Sequence, residues 1–217
     1  MQIKAAIFDF DGTIADSMPM WSCFAENFVA HLGGKAKKGL NKLVNPMSVQ
    51  EAEIFLRNEY FPEMTLEQMV KATDEYVMAR YKKGFDEKAG AGDFIRKMHA
   101  RGVKMAIATA TDREPVFLAL SNLGLADYFE FIITCTDAGV GKSSSPKVFD
   151  MALERLGAKK EETLIFEDSF YAAKTAKAAG YTVCGVYDDF SQGKKQEMTE
   201  LCDYYFDDFS KAGDELL

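Results

Sequence analysis

The chain has 217 residues, of which 47% are hydrophobic and 28% are charged. This composition excludes a disordered or fibrous chain and allows one large hydrophobic core with a smaller inserted unit. The 34 acidic residues outnumber the 26 basic ones and give a net charge of −8, which argues against nucleic acid or an anionic membrane as the main partner. Local groups, and not the overall charge, must therefore hold any anionic ligand.

The first predicted strand ends in two carboxylates. Ala5–Phe8 is an apolar run of the length expected for a strand that is buried on both faces, as in a parallel sheet. Asp9 and Asp11 follow it at once, and Gly12 with Thr13 allows a sharp turn. In open α/β folds the carboxyl end of such a strand is where ligands bind. Two acids at that edge repel each other, and Mg²⁺ is the natural cation for their oxygens.

The pattern is helical throughout residues 17–83. Apolar residues recur there at three- and four-residue spacing, and no strand pattern is present. Thr65 and Gln68 have the spacing of a capping box at the start of the last helix. We therefore predict an α-helical cap domain of residues 17–83, inserted into a core domain of residues 1–16 and 84–217.

From Lys88 onward, helical segments alternate with short apolar runs that are typical of buried strands. These runs lie within residues 103–111, 131–134, 163–166 and 182–187. Strands and helices that alternate at this spacing predict an α/β fold, with a Rossmann-like core in which helices flank a parallel sheet. The last stretch, Asp203 to Glu215, is acidic and is predicted to be a surface strand and a tail.

Polar residues also end two of the later strands. Thr109 ends the second strand, where its hydroxyl and the N–H groups that follow could hold phosphate oxygens. Glu167 and Asp168 end the fourth strand. A carboxylate at the tip of a buried strand is costly unless it is paired or bound to a metal. Both positions are therefore candidates for the same site as the two acids after the first strand.

The run from Ala5 to Thr13, A-A-I-F-D-F-D-G-T, closely resembles the first motif of the haloacid dehalogenase superfamily, most of whose members are phosphatases and phosphomutases. The strand end at Thr109 and the L-I-F-E-D-S run around Glu167 resemble that family's second and fourth motifs. The resemblance spans the whole predicted core, and the helical insertion matches the family's type of cap placed after the first motif.

The resemblance implies roles for the acidic residues. Asp9 would be the nucleophile that forms an aspartyl-phosphate, and Asp11 would be the general acid and base. Mg²⁺ would be bound by the Asp9 carboxylate, the Asp11 backbone carbonyl and Asp168. Glu167 would be a further metal ligand or a partner of the ligands.

The resemblance also implies the groups that bind phosphate. Thr109 and Ala110 correspond to the second motif. The third motif supplies a lysine shortly before a proline, and here two lysines compete, because Lys142 lies four residues before Pro146 and Lys147 directly follows it. We favour Lys142, since it precedes the predicted helix and can reach the site, and Lys147 stays the alternative.

The implied function is Mg²⁺-dependent hydrolysis of a small phosphomonoester, such as a sugar phosphate. The alternative within enzymes is a sugar phosphomutase of the β-phosphoglucomutase type. Such mutases carry a histidine where this chain has Trp21, and this difference favours a hydrolase. A non-enzymatic phospho-acceptor domain also combines acids, a threonine and a lysine, but it is shorter and has no helical insertion after its first strand.

The cysteines and histidines do not have the spacing of a metal site. They are Cys23, Cys135, Cys184, Cys202, His31 and His99. The sequence starts directly with the first strand, without a signal peptide, and contains no apolar run long enough to cross a membrane. We expect reduced thiols in a cytoplasmic protein that is a monomer or a weak homodimer.

Overall fold

The computed structural model of the chain describes residues 3–45, 47 and 49–216. These residues form two compact units. The larger unit contains the described residues up to Ser17 and those from Gly84 onward, and the smaller unit contains the described residues from Met18 to Lys83. Ser17 thus groups with the larger unit, although the sequence analysis began the insertion at that residue.

The larger unit is built on a parallel sheet of six strands in the order β3-β2-β1-β4-β5-β6. The strands are β1 (Ala5–Phe8), β2 (Lys104–Thr109), β3 (Ile132–Thr134), β4 (Thr163–Glu167), β5 (Thr182–Val186) and β6 (Tyr204–Phe206). Because every pair is parallel, all six strands end at the same edge. The central strand β1 pairs with β2 and β4, and Phe8 lies opposite both Ile107 and Phe166. This register confirms the predicted α/β fold.

The smaller unit is helical. Its helices are α1 (Met18–Ser22), α2 (Phe24–His31), α3 (Leu40–Val44), α4 (Val49–Tyr60) and α5 (Leu66–Lys83). The predicted capping box is present before α5, because the Thr65 N–H donates to Gln68 Oε1 at 2.8 Å and Thr65 Oγ1 accepts from the Gln68 N–H at 3.1 Å. The rings of Phe24 and Phe28 pack edge-on against Tyr76, with centroids 5.7 and 5.3 Å away. The smaller unit therefore has an aromatic core of its own.

Seven further α-helices belong to the described part of the larger unit. They are α6 (Ala91–Ala100), α7 (Arg113–Asn122), α8 (Cys135–Ala138), α9 (Lys147–Leu156), α10 (Phe170–Ala178), α11 (Lys195–Leu201) and α12 (Phe209–Leu216). Adjacent side chains of a strand point to opposite faces of the sheet. Phe8 stacks on Phe166 with 4.4 Å between centroids, beside Phe94 and Phe209, whereas Ile7 belongs to a second core cluster that includes residues of α9 and α10.

The C-terminal region corrects one expectation. The predicted surface strand is β6, but the predicted tail is the helix α12, in which Phe209 and Ala212 are buried. The Phe209 ring packs against that of Phe166, with 5.7 Å between their centroids, so this segment is part of the core. Among the described residues, none of the helices has both the length and the hydropathy required to cross a bilayer.

Candidate active site

Asp9 lies at the end of β1, at the centre of the edge where the strands terminate. Its backbone N–H donates to the Phe166 carbonyl at 2.9 Å, which extends the pairing between β1 and β4 by one residue. The side chain is buried, and Oδ1 lies 2.6 Å from Nζ of Lys142, which is also buried. The sheet therefore fixes the Asp9 carboxylate in a protected position with a cation beside it.

Two more carboxylates from the end of β4 complete a cluster with Asp9. One oxygen from each of Asp9, Glu167 and Asp168 lies within 4.8 Å of the others, and all three residues are buried. Glu167 Oε1 is 2.6 Å from Lys142 Nζ, an ion pair without hydrogen-bond geometry, and Glu167 Oε2 accepts from the Ser169 N–H at 3.1 Å. We call Asp9, Glu167 and Asp168 the acidic cluster.

Burial, together with repulsion between the carboxylates, raises pKa values in the acidic cluster. Burial raises the pKa of Asp9 to about 7, and the charge of Glu167 adds to this rise, although Lys142 opposes it. Burial, together with Asp9 and Glu167, raises the pKa of Asp168 well above its ordinary value. Burial alone would lower the pKa of Lys142, but Asp9 and Glu167 outweigh burial and raise it. The lysine is therefore a fixed positive charge.

The acidic cluster fits a divalent cation. Three buried carboxylates face one lysine, so the charge is not balanced when all three are ionised. Glu167 Oε1 is buried and accepts no hydrogen bond, and the Lys142 ammonium beside it is shared with Asp9. A second cation would therefore lower the cost of burying these charges. Carboxylate oxygens are the ligands that Mg²⁺ prefers, so the donor set matches this metal. The structure brings Asp9 and Asp168 together as the sequence predicted.

The Asp11 carboxylate lies outside the acidic cluster and is half-buried. Ser17 Oγ donates to its Oδ1 at 2.6 Å, and Thr111 Oγ1 donates to its Oδ2 at 2.7 Å. Both oxygens of this carboxylate are therefore engaged by hydroxyl groups. A further hydroxyl, that of Thr13, donates to Asp168 Oδ1 at 3.2 Å.

Thr109 and Ala110 lie at the end of β2, beside β1. Thr109 is buried, and its Oγ1 accepts from the Thr111 N–H at 3.1 Å while its own hydrogen stays available as a donor. Ala110 is exposed, and only its backbone N–H could bind an anion. Both residues thus lie at the strand edge where the sequence analysis expected a phosphate.

The two candidate lysines occupy different environments. Lys142 contacts Asp9 and Glu167, whereas Lys147 is exposed and its Nζ donates to the Ala138 carbonyl at the end of α8, at 2.7 Å. The structure therefore brings Lys142, and not Lys147, to the acidic cluster.

The sequence analysis missed Ser17 and Thr111 as partners of Asp11. Thr111 had a weak signal, because it is two residues after Thr109 in an alternating T-A-T run. Ser17 had none, since its return to Asp11 depends on the tight turn between them. Gly12 adopts a φ of 78° in that turn, and the N–H groups of Ile14 and Ala15 both donate to the Phe10 carbonyl.

Comparison with known proteins finds phosphatases among the relatives of this chain. Over 182 residues the chain is 29% identical to the pyrophosphatase PpaX of Halalkalibacterium halodurans, covering 83% of this chain and 81% of that protein. Over 193 residues it is 25% identical to a phosphorylated carbohydrates phosphatase of Thermotoga maritima, covering 88% and 89%. The crystal structure of CbbY from Rhodobacter sphaeroides in complex with phosphate has the same fold, with a TM-score of 0.83, 20% identity and coverage of 98% and 97%.

The family model described as haloacid dehalogenase-like hydrolase matches residues 6–186. These residues include most of the strand β1, the helical insertion and the strand ends that carry Thr109 and Asp168. This match covers most of the chain. The chain therefore belongs to the haloacid dehalogenase-like hydrolases.

Proposed function

We propose that this phosphatase of the haloacid dehalogenase-like family hydrolyses a small phosphomonoester with the help of Mg²⁺, through an aspartyl-phosphate on Asp9. The observation that carries the proposal is the buried Asp9 carboxylate, held 2.6 Å from Lys142 within the acidic cluster at the carboxyl edge of the sheet. A fixed carboxylate beside a permanent cation is suited to attack an anionic phosphorus centre.

The reaction has two halves. In the first, an oxygen of Asp9 attacks the phosphorus, the bond to the leaving oxygen breaks, and Asp11 gives a proton to that oxygen. In the second, water attacks the phosphorus of the aspartyl-phosphate, Asp11 takes the proton from this water, and inorganic phosphate leaves with Asp9 restored. Lys142, the Thr109 hydroxyl and the Ala110 N–H stabilise the negative charge on the transferred group.

The proposed metal ligands are the carboxylates of Asp9 and Asp168 and the Asp11 carbonyl, with Glu167 as a further ligand or as a partner of the ligands. When bound, Mg²⁺ supplies positive charge that neutralises phosphate oxygens and orients the transferred group. Two protein groups already contact these carboxylates. Lys142 pairs with Asp9 and Glu167, and Thr13 donates a hydrogen bond to Asp168.

We propose that the helical unit is a cap that selects the substrate and excludes water during the reaction. A phosphomutase is disfavoured, because the position where such mutases carry a histidine is Trp21, whose Nε1 donates to Tyr81 Oη within the helical unit at 3.2 Å. A tryptophan side chain cannot act as a proton donor and acceptor as histidine does.

The substrate is proposed to be a small phosphorylated metabolite. The names of the two relatives refer to pyrophosphate and to phosphorylated carbohydrates. A sugar phosphate is the class that we favour, and pyrophosphate belongs in the same test. The cytoplasmic location and the monomeric or weakly dimeric state stay predictions from the sequence.

The first experiment measures phosphate release from a panel of sugar phosphates, nucleotides, other small phosphomonoesters and pyrophosphate, with Mg²⁺ or with a chelator. We expect metal-dependent release that is lowered roughly 10³-fold in Asp9→Asn, the scale of losing a nucleophile. If the folded variant keeps more than a tenth of the wild-type rate, Asp9 is not the nucleophile. If no compound releases phosphate but a sugar phosphate is isomerised, the phosphomutase alternative is correct.

A further inference from the structure

Both oxygens of the Asp11 carboxylate accept a hydrogen bond from a hydroxyl group. Ser17 Oγ lies 2.6 Å from Oδ1, and Thr111 Oγ1 lies 2.7 Å from Oδ2. The two donors come from different segments, one six residues after Asp11 and the other a hundred residues after it. The carboxylate is therefore held from two sides.

The backbone around each donor is fixed by hydrogen bonds of its own. In the turn after β1, the Gly12 N–H donates to the Ala15 carbonyl, and the Asp16 N–H donates to the Asp86 carbonyl, both at 2.9 Å. On the neighbouring strand end, the Thr111 N–H donates to Thr109 Oγ1. Since β1 and β2 are paired in register up to Phe8 and Ile107, the two loops that follow lie side by side. Hydrogen bonds within the larger unit thus hold the backbone that carries each hydroxyl.

Hydroxyl groups have a chemical advantage at this position. A serine or threonine hydroxyl donates to a carboxylate and accepts from a carboxylic acid, whereas a lysine or a backbone N–H can only donate. In the proposed reaction Asp11 must be an acid in the first half and a base in the second. With two hydroxyl partners, one oxygen can turn to the substrate while the other stays anchored, whichever protonation state Asp11 has.

We propose that Ser17 and Thr111 are positioning residues that hold the Asp11 carboxylate for proton transfer to the leaving group. This inference rests on the proposed function, in which Asp11 is the general acid. Ser17 is fully buried and Thr111 is half-buried. A purely structural reading would have Ser17 donate to Asp11 only because a buried hydroxyl needs an acceptor. The two readings differ in their dependence on the leaving group.

The test compares two probes with opposite needs for a general acid. The leaving group of glycerol phosphate is a poor one and needs a proton, whereas the leaving group of p-nitrophenyl phosphate is stable as an anion. We expect Ser17→Ala combined with Thr111→Val to lower kcat/KM for glycerol phosphate by roughly 10²-fold, because general acid catalysis contributes at least a factor of about 10² to that reaction. The value for p-nitrophenyl phosphate should fall by no more than about threefold, because its leaving group departs without a proton. The ratio kcat/KM is used because it reports the step in which the leaving group departs.

Two further variants serve as controls. Thr111→Ser restores the hydroxyl and is expected to behave as the wild type with both probes, whereas Thr111→Val alone shows a selective loss. Thr163→Val removes a buried hydroxyl that donates to the Lys159 carbonyl, at the opposite end of β4 from Asp168, and is expected to leave the ratio of the two probes unchanged. Far-UV circular dichroism confirms that each variant is folded.

Three results would be informative in different ways. A selective loss with glycerol phosphate supports the inference. Equal losses with both probes, or no loss with either, in a folded Thr111→Val variant would overturn it while the proposed function stands. Absence of Mg²⁺-dependent phosphate release by the wild type from both probes and from every compound of the panel would overturn the proposed function, and the inference with it.

Discussion

At the scale of single residues, Lys142 is distinguished by the two buried carboxylates that it contacts. It is buried and lies 2.6 Å from one oxygen of Asp9 and from one oxygen of Glu167. Lys147, five positions later, is bound instead to the Ala138 carbonyl. These two lysines make a matched pair for testing which one stabilises the transferred phosphoryl group.

We expect Lys142→Met to lower kcat/KM by about 10²- to 10³-fold, the cost of removing one charge-stabilising donor from a buried site. Lys147→Met is expected to stay within about threefold of the wild type, as most surface substitutions do. Steady-state kinetics with Mg²⁺ and the best substrate of the panel measure both. A larger loss for Lys147→Met than for Lys142→Met would reverse the assignment.

Sequence could predict which residues meet, but not how their side chains are turned. Asp9, Thr109 and Asp168 lie at the ends of strands that proved to be parallel neighbours, so their placement at one edge of the sheet follows from the topology alone. The orientation of the Asp11 carboxylate depends on a tight turn that returns Ser17 to it. No periodic pattern encodes such a contact, and it could be found only in three dimensions.

At the scale of elements, the apolar runs predicted the buried strands well, because a strand that is covered on both faces is apolar at every position. Three α-helices of the larger unit were missed, namely α8, α11 and α12. The helix α8 has four residues, too few for a periodic signal, and is set by a capping box between Thr134 and Asp137. The helix α12 lies in an acidic stretch, and it buries only Phe209 and Ala212. Two buried positions give too weak a periodic signal to predict a helix.

An ion pair between distant segments is expected to stabilise the larger unit. Lys88 Nζ lies 2.8 Å from Oδ2 of Asp188, and the side chains are 16% and 3% exposed. Lys88 also donates its N–H to the Ile14 carbonyl in the loop after β1, at 2.7 Å, and Asp188 follows β5. The pair thus joins two segments that border the carboxyl edge of the sheet.

We expect Lys88→Met to lower the free energy of unfolding by about 3 kcal/mol, because Asp188 would stay buried without its countercharge. The matched control is Lys4→Met. Lys4 pairs with Glu162 at 2.6 Å, but the two side chains are 52% and 27% exposed, and its loss is expected to cost less than about 1 kcal/mol. Urea denaturation followed by circular dichroism measures both. Equal costs for the two variants would show that burial does not determine the strength of the Lys88 pair.

At the scale of the whole molecule, the acidic cluster links the stability of the fold to pH. The pKa of Asp9 is about 7 in the folded protein, against 3.8 for an unperturbed side chain. Between these values the folded form holds a proton that the unfolded form has lost. The contribution of Asp9 to stability is therefore fully present below pH 4 and is lost as the pH rises through 7. A cation bound by the ionised carboxylates would act in the opposite direction.

We therefore expect Mg²⁺ to raise the free energy of unfolding more at pH 7.5 than at pH 5.5. If the metal displaces one proton from Asp9, the difference is about 2 kcal/mol, because each pH unit below the pKa of about 7 is worth about 1.4 kcal/mol. The measurement is urea denaturation at both pH values, with Mg²⁺ or with chelator at constant ionic strength. Subtracting the two free energies of unfolding at each pH removes the contributions of groups that do not contact the metal. Asp9→Asn should reduce the pH dependence, and the remainder should belong to Asp168, whose pKa is also raised. Equal stabilisation by Mg²⁺ at both pH values would mean that the metal displaces no proton, and that the carboxylates are ionised before it binds.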